Sequence, residues 1–80
     1  MFSAEAFGQR LRAARKAAGQ KQEELGRALN LGKGQISAIE RGHASTSLEK
    51  LSLICQHYNI SADYLLGLTD DPKPHKRKKK

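Results

Sequence analysis

Apolar residues recur at every third or fourth position along much of the chain, and polar residues fill the positions between them. This spacing places the apolar side chains on one face of an α-helix. The first such series consists of Phe7, Leu11, Ala14 and Ala18. It predicts a helix over about residues 4–18, with Ser3 as its N-cap and Gly19 just past its end.

The same pattern predicts four more helices and no β-strand. Their approximate ranges are 22–29, 33–41, 47–58 and 61–67. In the fourth helix, the side chains expected to face inward are Leu48, Leu51, Ile54, Cys55 and Tyr58. Thr46 and Glu49 have the spacing of a capping box at the start of this helix, and Ser61 is a suitable N-cap for the fifth helix. The chain is therefore predicted to be all-α.

The second and third predicted helices are the most informative part of the chain. Leu25 and Leu29 are four residues apart and share one helix face. Ile36 and Ile39 are three apart and again share a face. The intervening segment, Asn30-Leu31-Gly32, contains residues that tolerate turn or left-handed geometry. Two short helices joined by a tight turn are typical of a helix-turn-helix, in which one helix crosses a DNA backbone and the next enters the major groove.

Four motifs stand in order along the chain and carry a resemblance to a known family. They are QEEL at 22–25, ISAIERG at 36–42, SLEKL at 47–51 and SADYLLG at 61–67. Through them, the chain from Phe7 to about Asp71 resembles the phage-repressor and Cro-type (Xre-type) helix-turn-helix domain. The resemblance implies a compact five-helix, lambda-repressor-like domain with the helix-turn-helix at helices 2 and 3. It also implies a transcriptional regulator that dimerises on an operator.

Two residues of the second helix depart from the family pattern. Lys21 stands where the family usually has a capping Thr or Ser, and the loss of a cap costs about 1 kcal/mol. Gly26 replaces the usual Ala, and a glycine inside a helix costs a further ~1 kcal/mol unless close packing against helix 3 requires it. We therefore expect this helix to have a weak start.

A helical projection of residues 33–41 predicts which side chains face DNA. Ile36 and Ile39 mark the core side, and the opposite direction holds Lys33, Gly34, Ser37, Ala38 and Arg41. Lys33 can donate to a guanine edge, Ser37 can donate or accept, and the Ala38 methyl can meet a thymine methyl. Gly34 lets the backbone approach closely. Because long side chains are few on this face, DNA shape is expected to contribute to recognition.

The resemblance adds contacts to the DNA backbone. Gln22, the first residue of helix 2, matches a family position that contacts a phosphate, and a helix N-terminus favours an anion there. Arg41, Gly42 and His43 match positions that touch the next phosphates. Gln35 lies at the edge of the groove-facing side and is a further candidate for phosphate. Arg15 and Glu40 match a pair that forms a salt bridge between helices 1 and 3.

Composition limits the chain to one small domain with a basic end. Eighty residues, 38% of them hydrophobic, allow a single modest core. The net charge is +7, but residues 70–80 hold six Lys or Arg and two Asp, and so contribute +4. We predict a DNA-binding domain at residues 1–69 and a disordered basic tail at residues 70–80. The tail is either an inert solubilising segment or an arm that binds phosphates.

Several other functions are not expected from the residues present. The single Cys55 can form neither an internal disulfide nor a zinc cluster, and it is read as a small core residue. The three histidines are too scattered to suggest a metal site, and no spacing suggests a catalytic triad. Gly32 and Gly34 do not form a nucleotide-binding motif, because no strand precedes them. We expect no enzyme activity, cofactor, metal or membrane segment, and a cytoplasmic location.

The leading hypothesis is a regulator, more readily a repressor than an activator, that binds a twofold-symmetric double-stranded operator as a homodimer. Tyr64, Leu65 and Leu68 are proposed for the dimer interface, although closure of the core is the alternative role for these apolar residues. A second hypothesis is an antitoxin or adaptor whose main partner is another protein, such as a toxin. A third is a non-specific nucleic-acid binder led by the basic tail.

Overall fold

One core joins side chains from every helix of the domain. The computed structural model describes residues 1–74 and contains five α-helices: α1 (Ala4–Ala17), α2 (Gln22–Leu29), α3 (Lys33–Glu40), α4 (Leu48–Tyr58) and α5 (Ala62–Leu66). The buried core residues are Phe7, Leu11, Leu25, Leu29, Ile36, Ile39, Ile54 and Leu65. No strand occurs within the described part of the chain. The predicted all-α, five-helix fold is confirmed.

The two helices that precede α3 in the chain both pack against it. α3 lies against α1 and α2, α5 lies against α1, and α4 lies against α2 and α5. α1 lies close to the end of α3 at Gly8, because a Cβ there would lie 2.3 Å from the carbonyl oxygen of Ile39. The small residue thus sets the spacing between helix 1 and the end of the third helix.

Serine side chains begin three of the helices. Ser3 accepts a hydrogen bond from the Ala6 N–H at 3.0 Å, and Ser61 accepts one from the Tyr64 N–H at 3.3 Å, so both predicted N-caps are confirmed. The predicted capping box of Thr46 and Glu49 is wrong. Ser47 caps α4 instead and accepts from the Lys50 N–H at 3.1 Å, since the helix begins one residue later than that box requires.

The start of α2 lacks a side-chain cap, as the lysine at the capping position predicts. The carboxylate of Glu24 partly compensates by accepting a hydrogen bond from the Lys21 N–H at 2.9 Å. Gly26 is required by the turn rather than by helix 3. A Cβ on Gly26 would lie 2.5 Å from the carbonyl oxygen of Leu31, whose N–H donates to the Gly26 carbonyl at 2.8 Å.

The expected inward face of α4 is only partly correct. Ile54 is fully buried, and Leu51, Cys55 and Tyr58 pack against the core. Leu48, also expected inside, is 85% exposed because it occupies the first turn of the helix, beyond the edge of the core.

The segment after α5 folds back onto the helices. The guanidinium of Arg10 donates to the carbonyls of Tyr64 and Thr69 and pairs with Asp70 at 2.9 Å. The Ser61 N–H donates to the carbonyl of Pro72 at 2.9 Å. The chain is thus held to the domain as far as Pro72, beyond the predicted domain boundary at residue 69. The rest of the predicted tail, from residue 75 on, lies outside the described residues.

Candidate nucleic-acid interface

The turn between α2 and α3 determines which side of α3 is exposed. Asn30 adopts the left-handed conformation at φ 57° and ends α2. Ile36 and Ile39 then enter the core, and the opposite side of α3 faces solvent. The predicted DNA-facing residues of α3 agree with this orientation. Lys33, Gly34, Gln35 and Arg41 are exposed, and Ser37 and Ala38 are half-buried. The helical projection therefore oriented this helix correctly.

A polar depression of about 600 Å³ lies between α3 and the adjoining ends of α1 and α2. We call it the polar flank of α3. Four of the predicted DNA-binding residues line it: Gln22, Lys33, Ser37 and Arg41. Arg12 of α1 and Lys21 line it as well. Four exposed cationic side chains thus border one concave surface beside the N-terminus of α2, where unpaired amides and the helix dipole favour an anion. Glu23 lines it too, and Arg15 at the floor is paired with Glu40.

The floor of the polar flank is a buried ion pair between α1 and α3. Arg15 Nε lies 2.6 Å from Glu40 Oε2, and a second guanidinium nitrogen lies 3.0 Å from Glu40 Oε1. The hydrogen bond from Arg15 to Glu40 raises the pKa of Arg15, outweighing the opposing effect of burial. The predicted salt bridge is present in this geometry. It holds α3 to α1.

Gln22 joins this ion pair. Its amide nitrogen donates to Glu40 Oε1 at 3.1 Å. The side chain predicted to contact phosphate is therefore also held by Glu40 through one amide hydrogen. Its second amide hydrogen and the backbone N–H of Gln22 do not take part in that bond. Lys33 is less restrained, since its ammonium lies 4.0 Å from Glu23 and both side chains are more than half exposed.

A second depression, of about 390 Å³, lies on the other side of α3. We call it the apolar flank. Gly34, Gln35 and Ala38 line it from the helix, and residues 44–47 form the opposite wall. The predicted DNA-facing residues are thus divided between two surfaces with different chemistry.

His43 stands apart from both depressions. It follows the turn that ends α3, where Gly42 has φ 80°. The His43 N–H donates to the carbonyl of Ala38 at 2.9 Å, and its imidazole is exposed.

Arg12 and Lys21 were missed by the sequence reasoning as site residues. Arg12 is remote from the helix-turn-helix in sequence, and the position of Lys21 before α2 predicts only a poor cap. The one available signal was that Arg12 and Arg15 are three residues apart on α1, and so on one side of the helix that carries the predicted salt bridge.

The proposed dimer residues have three different environments. Leu65 is 1% exposed and belongs to the core, so its assignment to the interface is wrong for this fold. Tyr64 is half-buried, with the Arg10 guanidinium 4.2 Å from its ring centroid. Leu68 is 73% exposed, and it is the member of the set that a second chain can reach.

Other kinds of site find little support in the described residues. Within residues 1–74, no group of three or more His, Cys, Asp or Glu side chains is arranged to hold a metal ion. None of the helices described has the length and hydropathy needed to cross a membrane. Burial raises the pKa of the Cys55 thiol, as expected for a cysteine packed against the core.

An all-α domain in which a tight turn after α2 exposes one face of α3 is a helix-turn-helix domain. Residues 11–65 match the family described as Helix-turn-helix. The chain belongs to that family, which confirms the resemblance found in its motifs.

Related proteins agree with this assignment. The chain is 38% identical over 73 residues to YobD of Bacillus subtilis, an uncharacterized HTH-type transcriptional regulator; the match covers 91% of the chain and 65% of YobD. It is similar to the P22 c2 repressor, solved with a synthetic operator, at 33% identity and TM-score 0.71, over 75% of this chain and 91% of that one.

A third relative is the restriction-modification controller protein C.AhdI of Aeromonas hydrophila, at 32% identity and TM-score 0.70. That match covers 79% of this chain and 91% of the controller. These relatives are named as regulators, a repressor and a controller, in agreement with the prediction of a non-enzymatic protein. The chain spans slightly less than two thirds of the length of YobD.

Proposed function

We propose that this protein is a sequence-specific DNA-binding regulator of transcription that places α3 in the major groove. The carrying observation is the polar flank, where Gln22, Lys33, Ser37 and Arg41 meet at one concave surface. Cations beside the start of α2 suit the phosphate backbone, and the exposed side of α3 suits base edges. Such a regulator acts where the DNA is, in the cytoplasm and on the nucleoid.

The regulatory effect we propose is repression of a promoter. Occupancy of the site by a domain of this size is sufficient to exclude polymerase, whereas activation requires an additional contact with it. A twofold-symmetric operator requires two copies of α3 separated by one DNA turn, about 34 Å. We propose that the exposed Leu68 contributes to weak association of the two copies.

Selection of bound duplexes from a random pool at physiological salt tests this proposal. We expect a twofold-symmetric consensus from the wild-type chain. Lys33→Ala should weaken binding to that consensus, because it removes a cation from the polar flank. The matched control is Arg27→Ala, which removes an exposed cation of α2 that lines neither depression. Equal losses of affinity for the two variants would show that binding rests on general electrostatic attraction and not on the polar flank.

In this proposal, the basic end of the chain makes a separate, non-specific contribution to the affinity for DNA. If about half of its six Lys and Arg engage phosphates, the slope of log K against log salt steepens by roughly 3 units. Deletion from Lys73 should remove that increment and leave the consensus unchanged. An unchanged slope would identify the segment as inert.

The oligomeric part of the proposal has its own measurement. Sedimentation of the chain, free and on operator DNA, should show two chains per operator, and Leu68→Ser should weaken their association. One chain per symmetric operator would exclude the dimer. The alternative role as an antitoxin or adaptor for a protein partner stays a prediction, and its site would include exposed apolar side chains such as Leu48.

A further inference from the structure

Gln20 joins the polar flank of α3 to the end of α4. It lies in the loop between α1 and α2, and its half-buried side chain lines the polar flank. The Tyr58 hydroxyl donates to the side-chain oxygen of Gln20 at 2.8 Å. Nε2 of His57 lies 3.1 Å from the same oxygen and donates to it, because an amide oxygen only accepts. Two neighbouring side chains of α4 thus hold one loop residue.

The backbone of Gln20 is held as well, by Arg15 of α1. The Gln20 N–H donates to the carbonyl of Arg15 at 3.1 Å, and the Arg15 guanidinium donates to the carbonyl of Gln20 at 2.7 Å. The same guanidinium pairs with Glu40 of α3, which also accepts from Gln22. Gln20 is therefore bonded directly to α1 and α4, and through Arg15 it is linked to α3.

The loop that contains Gln20 leads into the uncapped start of α2. Lys21 and Gln22, which line the polar flank, follow Gln20 directly in the chain. On the basis of the proposed DNA binding, we infer that Gln20 is a positioning residue for that binding. Held by Tyr58 and His57, it fixes the loop so that the start of α2 meets the phosphate backbone. A loop released from α4 samples other positions, and the apparent affinity falls with the fraction of chains that is competent to bind.

The size of the expected effect follows from one neutral hydrogen bond. Such a bond changes an equilibrium constant by about fivefold. Loss of the bond between Tyr58 and Gln20 should therefore weaken DNA binding by about two- to fivefold. No charge is removed, so the slope of log K against log salt should stay the same. Removal of a phosphate-binding cation would instead make that slope shallower by about 1 unit.

The test deletes the two ends of this hydrogen bond, separately and together. Tyr58→Phe removes the hydroxyl, Gln20→Met removes the acceptor and keeps the length of the side chain, and the double variant removes both. We expect each variant to bind the selected consensus duplex more weakly at an unchanged salt slope. The double variant should lose no more affinity than Gln20→Met alone, because both changes act on one bond. In the free chain, Tyr58→Phe should also speed hydrogen exchange of the Gln20 N–H.

Gln56→Met is the matched control. Gln56 is exposed on α4 beside His57, and its amide donates to Ser52 of the same helix at 3.1 Å. This variant should bind the consensus as the wild-type chain does. Urea unfolding is measured for every variant, because a purely structural bond would lower the unfolding midpoint and leave the affinity of the folded chain unchanged. Unchanged affinity in both Gln20→Met and Tyr58→Phe would overturn the inference and leave the proposed function standing.

Two other results are also decisive. If Gln20→Met weakens binding and Tyr58→Phe does not, Gln20 contacts DNA itself and is not a positioning residue. If the random pool yields no consensus for the wild-type chain, the proposed function and this inference both fail.

Discussion

Replacing Arg15 by methionine removes one half of the buried ion pair between α1 and α3. The side chains of Arg15 and Glu40 are 9% and 2% exposed, and two hydrogen bonds of 2.6 and 3.0 Å join them. Methionine retains much of the aliphatic stem but leaves the Glu40 carboxylate with the Gln22 amide as its remaining hydrogen-bond donor. The variant therefore contains a charge that is shielded from water and lacks its counter-ion.

The expected loss is large for a domain of this size. Removal of one partner from a buried pair costs about 3–5 kcal/mol, and the whole stability of such a domain is about 5–15 kcal/mol. The double variant Arg15→Met/Glu40→Leu should recover part of that loss, because neither charge then remains buried. Glu40→Gln, which keeps an oxygen facing the guanidinium, should cost less than Arg15→Met.

Urea unfolding followed by helical circular dichroism measures these differences as a double-mutant cycle. Arg12→Met is the control, since it removes an exposed cation from the same helix and should change stability by no more than about 0.5 kcal/mol. A loss of under ~1 kcal/mol for Arg15→Met would refute the reasoning, because that value is typical of a solvated surface pair.

Three further predictions concern the core and its edges. Gly8→Ala should destabilise the domain by about 1–3 kcal/mol, because its Cβ would meet the Ile39 carbonyl. Gly34→Ala has open space around it and should stabilise the domain by up to about 1 kcal/mol. Similar urea midpoints for the two variants would contradict this. Thr46→Val should raise the unfolding free energy by about 1 kcal/mol, because the Thr46 hydroxyl is buried without a partner among the described residues; a loss of stability would show that the hydroxyl is satisfied. Burial raises the pKa of Tyr58 from 10.0 to about 12, so the folded state holds the phenolic proton more tightly than the unfolded state does. The stabilisation that results is fully present below pH 10 and is lost as the pH rises to 12. Tyr58→Phe should flatten that part of a pH series of unfolding midpoints, and an unchanged slope would reject the assignment.

The fold could be read from the chain because its signals are local. α2 begins and ends at the predicted residues 22 and 29, and α1 ends one residue before the predicted end. Serine caps and left-handed residues act over three or four positions, so the chain alone contains the information that places helix ends. The rotation of α3 followed in the same way from the positions of Ile36 and Ile39.

Errors occurred where burial depends on the neighbouring helices. Leu48 and Leu65 are both leucines within predicted helices, yet one is 85% exposed and the other 1% exposed. Periodicity gives the face on which a side chain lies, but it does not give the distance to which the core extends along that face. Thr46 and Ser47 likewise both had suitable side chains for a cap, and the start of α4 at Leu48 selected Ser47.

The helical class, the helix-turn-helix and the outward side of α3 can all be predicted from the sequence, because each follows from spacing within a few turns of backbone. The packing of the helices is needed to show that Arg12 and Lys21 share a surface with Lys33, and that Gly34 and Ala38 line a different one. These groupings join residues from separate helices. They depend on how α1 and α2 pack against α3 and on how α4 packs against α2, which no local pattern specifies.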